Sequence, residues 1–455
     1  MGTFRLLPTT TRARLALAGT ITLMYIIGST VYMRYGSSAF PVLETRPDDL
    51  GHPETTTSTT GTEQSSSDGV AGVETSRVLL VSSFFLLNTS KIPQKDYDMW
   101  LHNYLGTVET DIYFYTTPDQ ADRVKSFRPE GMNITIDTTF SSIFEVPPLK
   151  DKVDAYTLNR KKDRAKPKHS IESYAVLNSK PFFLTNAVKA SEAKGLKYNY
   201  AFWNDAMSFH HEHEFRQWPS TSRLDELWTT GSNLTGTDPA DLLFIPSWDL
   251  PHKSMYLWYE GEGPIDHKFN EGSFFGGPPH AVDWLARTFY TYHDAWLDRG
   301  IFVGKDQMIF NALSFLFAPR ISTVWYNDPA APARAALNRT PSVPWPLFRD
   351  PDADWYEPSA LGQCDSEWFY YRFFLANQRE REAMRATWIA KAKRWRWWGW
   401  WRPRDTTPCE LTRLLPMMDT LQRKYGQGWH PSHSLQIPDT IQWTLPDSNN
   451  GTHTN

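Results

Sequence analysis

Nineteen consecutive uncharged residues, Leu15 to Met33 (LALAGTITLMYIIGSTVYM), stand between Arg14 and Arg34. As a helix rising about 1.5 Å per residue, the run is roughly 29 Å long, close to one hydrocarbon layer. It constrains the chain more than any other feature, because it commits one segment to lipid and divides the remainder between two sides. Arg5, Arg12 and Arg14 precede it with no acid, whereas Glu44, Asp48 and Asp49 accompany Arg34 and Arg46 after it. The positive-inside rule then leaves residues 1–14 in the cytosol and carries the bulk of the chain across, as a single-pass type II signal-anchor over 15–33. A signal peptide cleaved near GSSAF is the alternative, although the apolar run exceeds the usual ~7–15 residues of such peptides.

Residues 34–77 are rich in Thr, Ser, Gly and acids and poor in aromatics (ETTTSTTGTEQSSSDGVAGVETS). Such a stretch buries too little apolar surface to fold, so it reads as a flexible stem. Five acceptor sequons follow, at Asn88, Asn133, Asn233, Asn338 and Asn450, with a proline after the Thr340 of the fourth. All lie on the side assigned to the secretory lumen, where N-glycosylation occurs. Cys364 and Cys409, the only two cysteines, lie on the same side, and an oxidising compartment favours their pairing as one disulfide. The anchor, stem and domain layout points to the Golgi, with the ER lumen as the alternative.

The folded part reads as alternating strands and helices. RVLLVSSFFLL is a continuous apolar run, as in a strand buried on both faces. The polar, helical KDYDMWLHNYLG follows, then a strand at TDIYFYTT, a helix at ADRVKSF and a strand at NITIDTT. That rhythm predicts an open α/β sheet with helices on its faces. Residues 146–170 are polar and Lys-rich and read as a loop or insertion. IESYAVLNSKPFFLTNAVKASEAKG reads as one helix stopped by Gly195, and YNYAFWNDA and ADLLFIPSW as strands.

SFF then ends a further strand, with Gly276-Gly277 as an unusual turn and Pro278-Pro279 presetting a helix start. Val282, Leu285, Phe289, Tyr292 and Trp296 recur at steps of three and four, one face of a helix ending before Gly300. IFV (301–303) reads as a short strand, and Asp306 as the N-cap of QMIFNALSFLF or as a base facing a cleft. Open α/β sheets bind ligands at the carboxyl ends of their strands. Asp205, Gly276-Gly277 and Lys305-Asp306 all fall at such ends.

On these residues the chain resembles the HtrL/YibB-like family, and most of all its fungal, membrane-anchored members. The matching stretches are VSSFFLL, YAVLNSKPFFLTNAV, YAFWNDAMSF, EGSFFGG and VGKDQMIFNAL, spread over 78–324. The resemblance implies a nucleotide-diphospho-sugar transferase (GT-A type) fold over 78–345, an open mixed sheet flanked by helices. It also implies transfer of a sugar from a nucleotide-sugar donor to a glycan, protein or lipid acceptor. A glycosyltransferase-like relative that binds glycans or partners without catalysis is the second reading. Where the family pattern carries Gly and Arg, this chain carries Met207 and His210.

Glycosyl transfer needs its diphosphate leaving group neutralised, by Mn²⁺ or Mg²⁺ or by basic side chains, and its acceptor hydroxyl activated. Asp205 and Asp306 are the candidate catalytic carboxylates, Asp205 also as a metal or sugar ligand in place of a paired Asp-x-Asp. Ser82, Lys180, Trp203, Asn204, Gly276, Gly277, Lys305 and Gln307 are the donor-binding candidates. Among them Lys180 and Lys305 would meet phosphate, and the glycines would admit the sugar to the backbone. HHEHE (210–214) offers His211 and His213 as metal ligands, but lacks the His-Glu-x-x-His spacing and also reads as a solvated loop.

The C-terminal extension, 346–455, contains KAKRWRWWGWWRPR at 391–404. Tryptophan interleaved with Lys and Arg suits a bilayer surface, packing against the core, or an acceptor site. With a formal net charge of −4 there is no basic excess for nucleic acid. The 20 Trp, 20 Tyr and 26 Phe suit either an aromatic core or stacking on sugar rings.

Overall fold

The computed structural model describes residues 77–87, 92–326, 328, 369–396 and 413–445. The expected anchor, the stem, Asn88, Asn338, Asn450, both cysteines and the Trp side chains of 391–404 lie outside the described residues. Among those described, no helix is long and apolar enough to cross a membrane. Asn133 and Asn233 are exposed. The architecture below concerns one compact unit, to which the described residues up to 389 and from 413 onward belong.

Among the described residues eight strands form one mixed sheet. They are β1 (Val78–Phe84), β2 (Asp111–Thr116), β3 (Ile134–Asp137), β4 (Tyr200–Asn204), β5 (Leu243–Phe244), β6 (Phe274–Gly277), β7 (Ile321–Val324) and β8 (Leu414–Pro416). Their order is β3-β2-β1-β4-β6-β5-β7-β8. The first four are mutually parallel, β6 runs antiparallel between β4 and β5, and β8 closes the edge antiparallel to β7. From β1 the chain moves to β2 and β3 on one side and to β4 on the other, so the strand order reverses between β1 and β4.

The helices are α1 (Gln94–Thr107), α2 (Ala121–Ser126), α3 (Val153–Arg160), α4 (Ile171–Asn178), α5 (Lys180–Ala193), α6 (Thr221–Thr235), α7 (Pro279–Asp298), α8 (Asp306–Leu316), α9 (Tyr371–Leu375), α10 (Gln378–Arg396) and α11 (Met417–Tyr425). Side chains alternate across the strands with period two. Leu79, Val81, Tyr113, Tyr115, Ala201, Trp203 and Phe275 therefore face a core made with α5, α7, α8 and α11. Val78, Leu80, Ile112, Phe114, Tyr200, Phe202 and Phe274 face another, made with α1, α6 and α9. Both faces are covered, which is why β1 is apolar without a break. On α7 the predicted stripe Val282, Leu285, Phe289, Tyr292 and Trp296 is buried throughout, each residue contributing about 1.5–3 kcal/mol.

Several expectations change at this level. Residues 146–170 are not a bare loop, for α3 buries Tyr156 and Asn159. Ile301 to Val303 is no strand: the Asn159 amide donates to the Ile301 carbonyl and accepts from the Val303 N–H, and Asn178 donates to the Val303 carbonyl. Two side chains thereby meet the backbone needs a neighbouring strand would have met. The single helix expected over 171–195 is two, broken at Ser179, and the break places Lys180 at the head of α5. Gly276 and Gly277 lie inside β6 rather than in a turn. A Cβ on Gly276 would sit 2.2 Å from the Ala201 carbonyl oxygen, and one on Gly277 2.7 Å from that of Leu242. The glycines let strands close together. Residues 369–389 and 413–445, read as part of a C-terminal extension, supply β8, α9, α11 and the buried Met384 to this same unit.

Candidate active site

β4 delivers Trp203, Asn204 and Asp205 to its carboxyl end, beside the reversal of strand order. Ser82 on β1 is fully buried and pins that end, its hydroxyl donating to the Asn204 carbonyl at 2.6 Å and meeting the Tyr104 hydroxyl at 3.0 Å. Because β6 is antiparallel, its start lies at the same end of the sheet as the finish of β4, and the Asp205 N–H bonds the Ser273 carbonyl at 2.9 Å. Glu271, Gly272 and Ser273 are thus brought against Asp205. Two helices begin here as well, α5 with Lys180 and α8 with Asp306.

The Lys180 ammonium is the centre of the arrangement. Its Nζ lies 2.9 Å from Asp205 Oδ1 and 2.9 Å from Asp306 Oδ2, and donates to the Gly272 carbonyl at 2.9 Å. The Lys180 and Asp306 side chains are each 4% exposed and that of Asp205 is 35% exposed, so Asp205 is the open edge of the group. Trp203 Nε1 donates to Asp205 Oδ1 at 2.6 Å, which fixes that carboxylate from the protein side. Gly272 lies so near Asp306 that a Cβ there would be 3.1 Å from its Oδ2. The Lys180–Asp306 contact is thus an ion pair between two enclosed side chains.

The electrostatics follow from burial. Burial works to lower the Lys180 pKa, but the Asp205 and Asp306 charges outweigh it and the shift is upward. Burial, with the Asp205 charge adding to it, raises Asp306 against the pull of Lys180. Glu271 is 5% exposed and its Oε1 has no hydrogen-bond partner. Burial and then the Asp205 charge push its carboxyl up to about 8, against Lys180 and Lys268. At neutral pH Lys180 is therefore an ammonium and Glu271 chiefly a neutral carboxylic acid.

Asp205, Asp306 and Lys180 come together as a cluster, but Asp306 is the first residue of its helix and Lys305 the cap, with no side-chain capping bond. The other candidates take different places. Ser82 and Asn204 are fully buried braces, with the Asn204 amide turned to the Asp205 carbonyl at 3.1 Å. Gln307 donates its amide to the Asn270 carbonyl, and Lys305 lies 3.8 Å from Asp266. Gly276 and Gly277 are buried within the sheet, so their open backbone meets neighbouring strands and no donor sugar.

His213 corrects the metal expectation for its ring. Nε2 bonds the Asn103 carbonyl at 3.0 Å and Nδ1 accepts from the Phe215 N–H at 3.1 Å, so neither nitrogen is left for an ion. Burial, then the Arg372 charge, brings its pKa down to about 3, and the ring is neutral. His211 is exposed, and His210 lies between Trp100 and Phe369 at ring separations of 4.5 and 5.3 Å. The three rings do not converge. Among the described residues no group of three or more His, Cys, Asp or Glu is placed to hold a metal ion.

A resident Mn²⁺ or Mg²⁺ would need several oxygens around an open centre. Here the inward oxygens of Asp205 and Asp306 already surround an ammonium, and the donor set does not fit such an ion.

Glu271 carried no role in the sequence reading. Its signal was an isolated acid in an otherwise small and apolar stretch, NEGSFFGG, and only the fold shows it buried beside Asp205.

No family model matches the chain. No curated protein matches it either. Among solved structures, a crystal structure of core-mannan synthase A from Aspergillus fumigatus in its Mn/GDP form aligns with a TM-score of 0.31 and 11% identity, over 57% of this chain and 75% of that one. A likeness so slight is no ground for a fold class or a reaction, which rest on the chain's own residues.

Proposed function

We propose that the chain is a glycosyltransferase with a GT-A-like sheet, moving a sugar from a nucleotide-sugar donor to a glycan, protein or lipid acceptor in the secretory pathway. The observation that carries this reading is the meeting of Lys180, Asp205, Glu271 and Asp306 at the strand ends beside the reversal between β1 and β4. Open α/β sheets place their ligand sites at such switch points. Asp205, the exposed carboxylate, would contact the donor's sugar or diphosphate. A divalent ion riding on that diphosphate would belong to the substrate and meet only the outer edge of Asp205. Glu271, with a carboxyl near 8, would become able to take the proton of an acceptor hydroxyl as pH rises toward that value.

The anchor over 15–33, the stem and the sequons support a type II membrane protein of the Golgi or ER, and the Trp-rich segment 391–404 supports a second contact with the membrane. A glycan- or partner-binding protein without catalysis is the second reading. It is favoured by the enclosure of Lys180 among protein oxygens, which leaves that ammonium no side for a phosphate.

The test is thermal stabilisation of residues 78–455, expressed in a secretory host, by a panel of UDP- and GDP-sugars with and without Mn²⁺. A shift with one nucleotide, lost in Asp205→Ala, together with slow hydrolysis of that donor, supports transfer. Cooperative melting with no shift for any nucleotide moves the assignment to the binding protein.

A further inference from the structure

The cluster's centre is itself an unusual occupant for a group of acids. Three protein oxygens, from Asp205, Asp306 and Gly272, lie 2.9 Å from one nitrogen. The oxygens come from three segments, the end of β4, the loop before β6 and the head of α8, and the nitrogen from a fourth, the head of α5. Oxygens converging from separate segments on one cationic point are what hard metal ions select. Beside them one further buried acceptor, Glu271 Oε1, has no hydrogen-bond partner, and Glu271 couples electrostatically to both Asp205 and Lys180.

We infer that the Lys180 ammonium is the resident cation of this site, standing where a divalent metal would otherwise be held. The inference rests on the cradle's geometry and is independent of which donor or acceptor the protein uses. The lysine satisfies two carboxylates that would repel one another if both were buried as anions without a counter-charge. Being covalently attached, it keeps them paired whatever the metal supply. The cradle therefore takes up a divalent ion only when the lysine is removed.

The experiment is a Mn²⁺ titration of the intact luminal chain, read by the EPR signal of free aquo Mn²⁺ and by the melting temperature, with Ca²⁺ as a second hard ion. The wild type is expected to leave the ion free and to melt unchanged. Lys180→Ala is expected to hold one equivalent and to gain melting temperature with either ion. Because that variant leaves buried carboxylates without a partner, it is also refolded with and without the ion, and ion-dependent recovery counts as occupation of the cradle. The inference is overturned if the wild type holds Mn²⁺ and Asp205→Asn releases it. It is equally overturned if Lys180→Ala behaves the same with the ion as without. Neither readout uses a nucleotide, so failure here is separate from failure of the transferase reading.

Discussion

Lys180 Nζ lies 2.9 Å from Asp306 Oδ2, and both side chains are 4% exposed, although 126 positions separate them in the chain (306 less 180). The pair joins the heads of two helices that pack on the same core. Removing one partner of a buried pair leaves an uncompensated charge, which typically costs about 3–5 kcal/mol. Lys180→Met should therefore lose stability of that order in urea unfolding. Asp205→Asn, at the solvent-exposed edge, should lose about 1 kcal/mol or less. A loss in Asp205→Asn as large as that in Lys180→Met would mean that the lysine is held chiefly by Asp205 and not by the enclosed Asp306.

Glu271 sets a pH dependence. Its folded pKa, near 8, is above the ordinary carboxylate value near 4.5, so the folded state binds the proton more tightly. Its contribution favours folding at low pH and is lost progressively as pH rises from about 4.5 to about 8. Glu271→Gln keeps the shape without the titration. It should be the more stable protein at pH 9, by an amount on the order of a few kcal/mol, and the difference should vanish near pH 4. Parallel curves for the two proteins would exclude a buried acid at this position.

His213 acts in the opposite direction. Its folded pKa is about 3, below the ordinary 6.5, so the unfolded chain takes up the proton first. The stability it supports is present above pH 6.5 and is lost as pH falls toward 3. His213→Asn should be less stable at pH 7, since an amide fits the two backbone partners less well, and should lose less on acidification. A chelator should leave the melting temperature of the wild type unchanged at pH 7.

Gly276 is a test of the sheet. A methyl group 2.2 Å from the Ala201 carbonyl oxygen cannot be accommodated without parting β4 from β6. Gly276→Ala should therefore cost more than about 4 kcal/mol, or prevent folding, as severe core substitutions do. Gly236 ends α6 at φ +71° with open space around its Cα. Gly236→Ala there should cost only about 1 kcal/mol, the strain of a left-handed residue.

Much of the frame was legible because it is local. β1, β2, β4 and α7 follow from apolar runs and helical periodicity, which act over a few residues. Gly300 at φ +69° ends the neighbourhood of α7 where the sequence placed the stop. What misled was local signal with a distant explanation. Gly276-Gly277 looks like a turn, yet the glycines are required by strands contributed from residues 200–204 and 243–244. IFV looks like a strand, yet its backbone is met by Asn159 and Asn178. The helix over 171–195 looks continuous, yet Ser179 breaks it where Lys180 must turn toward Asp205 and Asp306.

The sequence by itself determined that strands alternate with helices, that Asp205 and Asp306 stand at element ends, and that a charge-free run of 19 residues precedes the folded part. Those properties depend on side-chain type and short-range spacing alone. The tertiary structure decided which charges meet. It placed a lysine between two aspartates, left Glu271 protonated beside them, and turned His213 inward to the backbone. Each outcome depends on burial and on the mutual approach of segments remote in the chain. The free energy of a charge is set by its surroundings, and those surroundings exist only once the sheet has assembled.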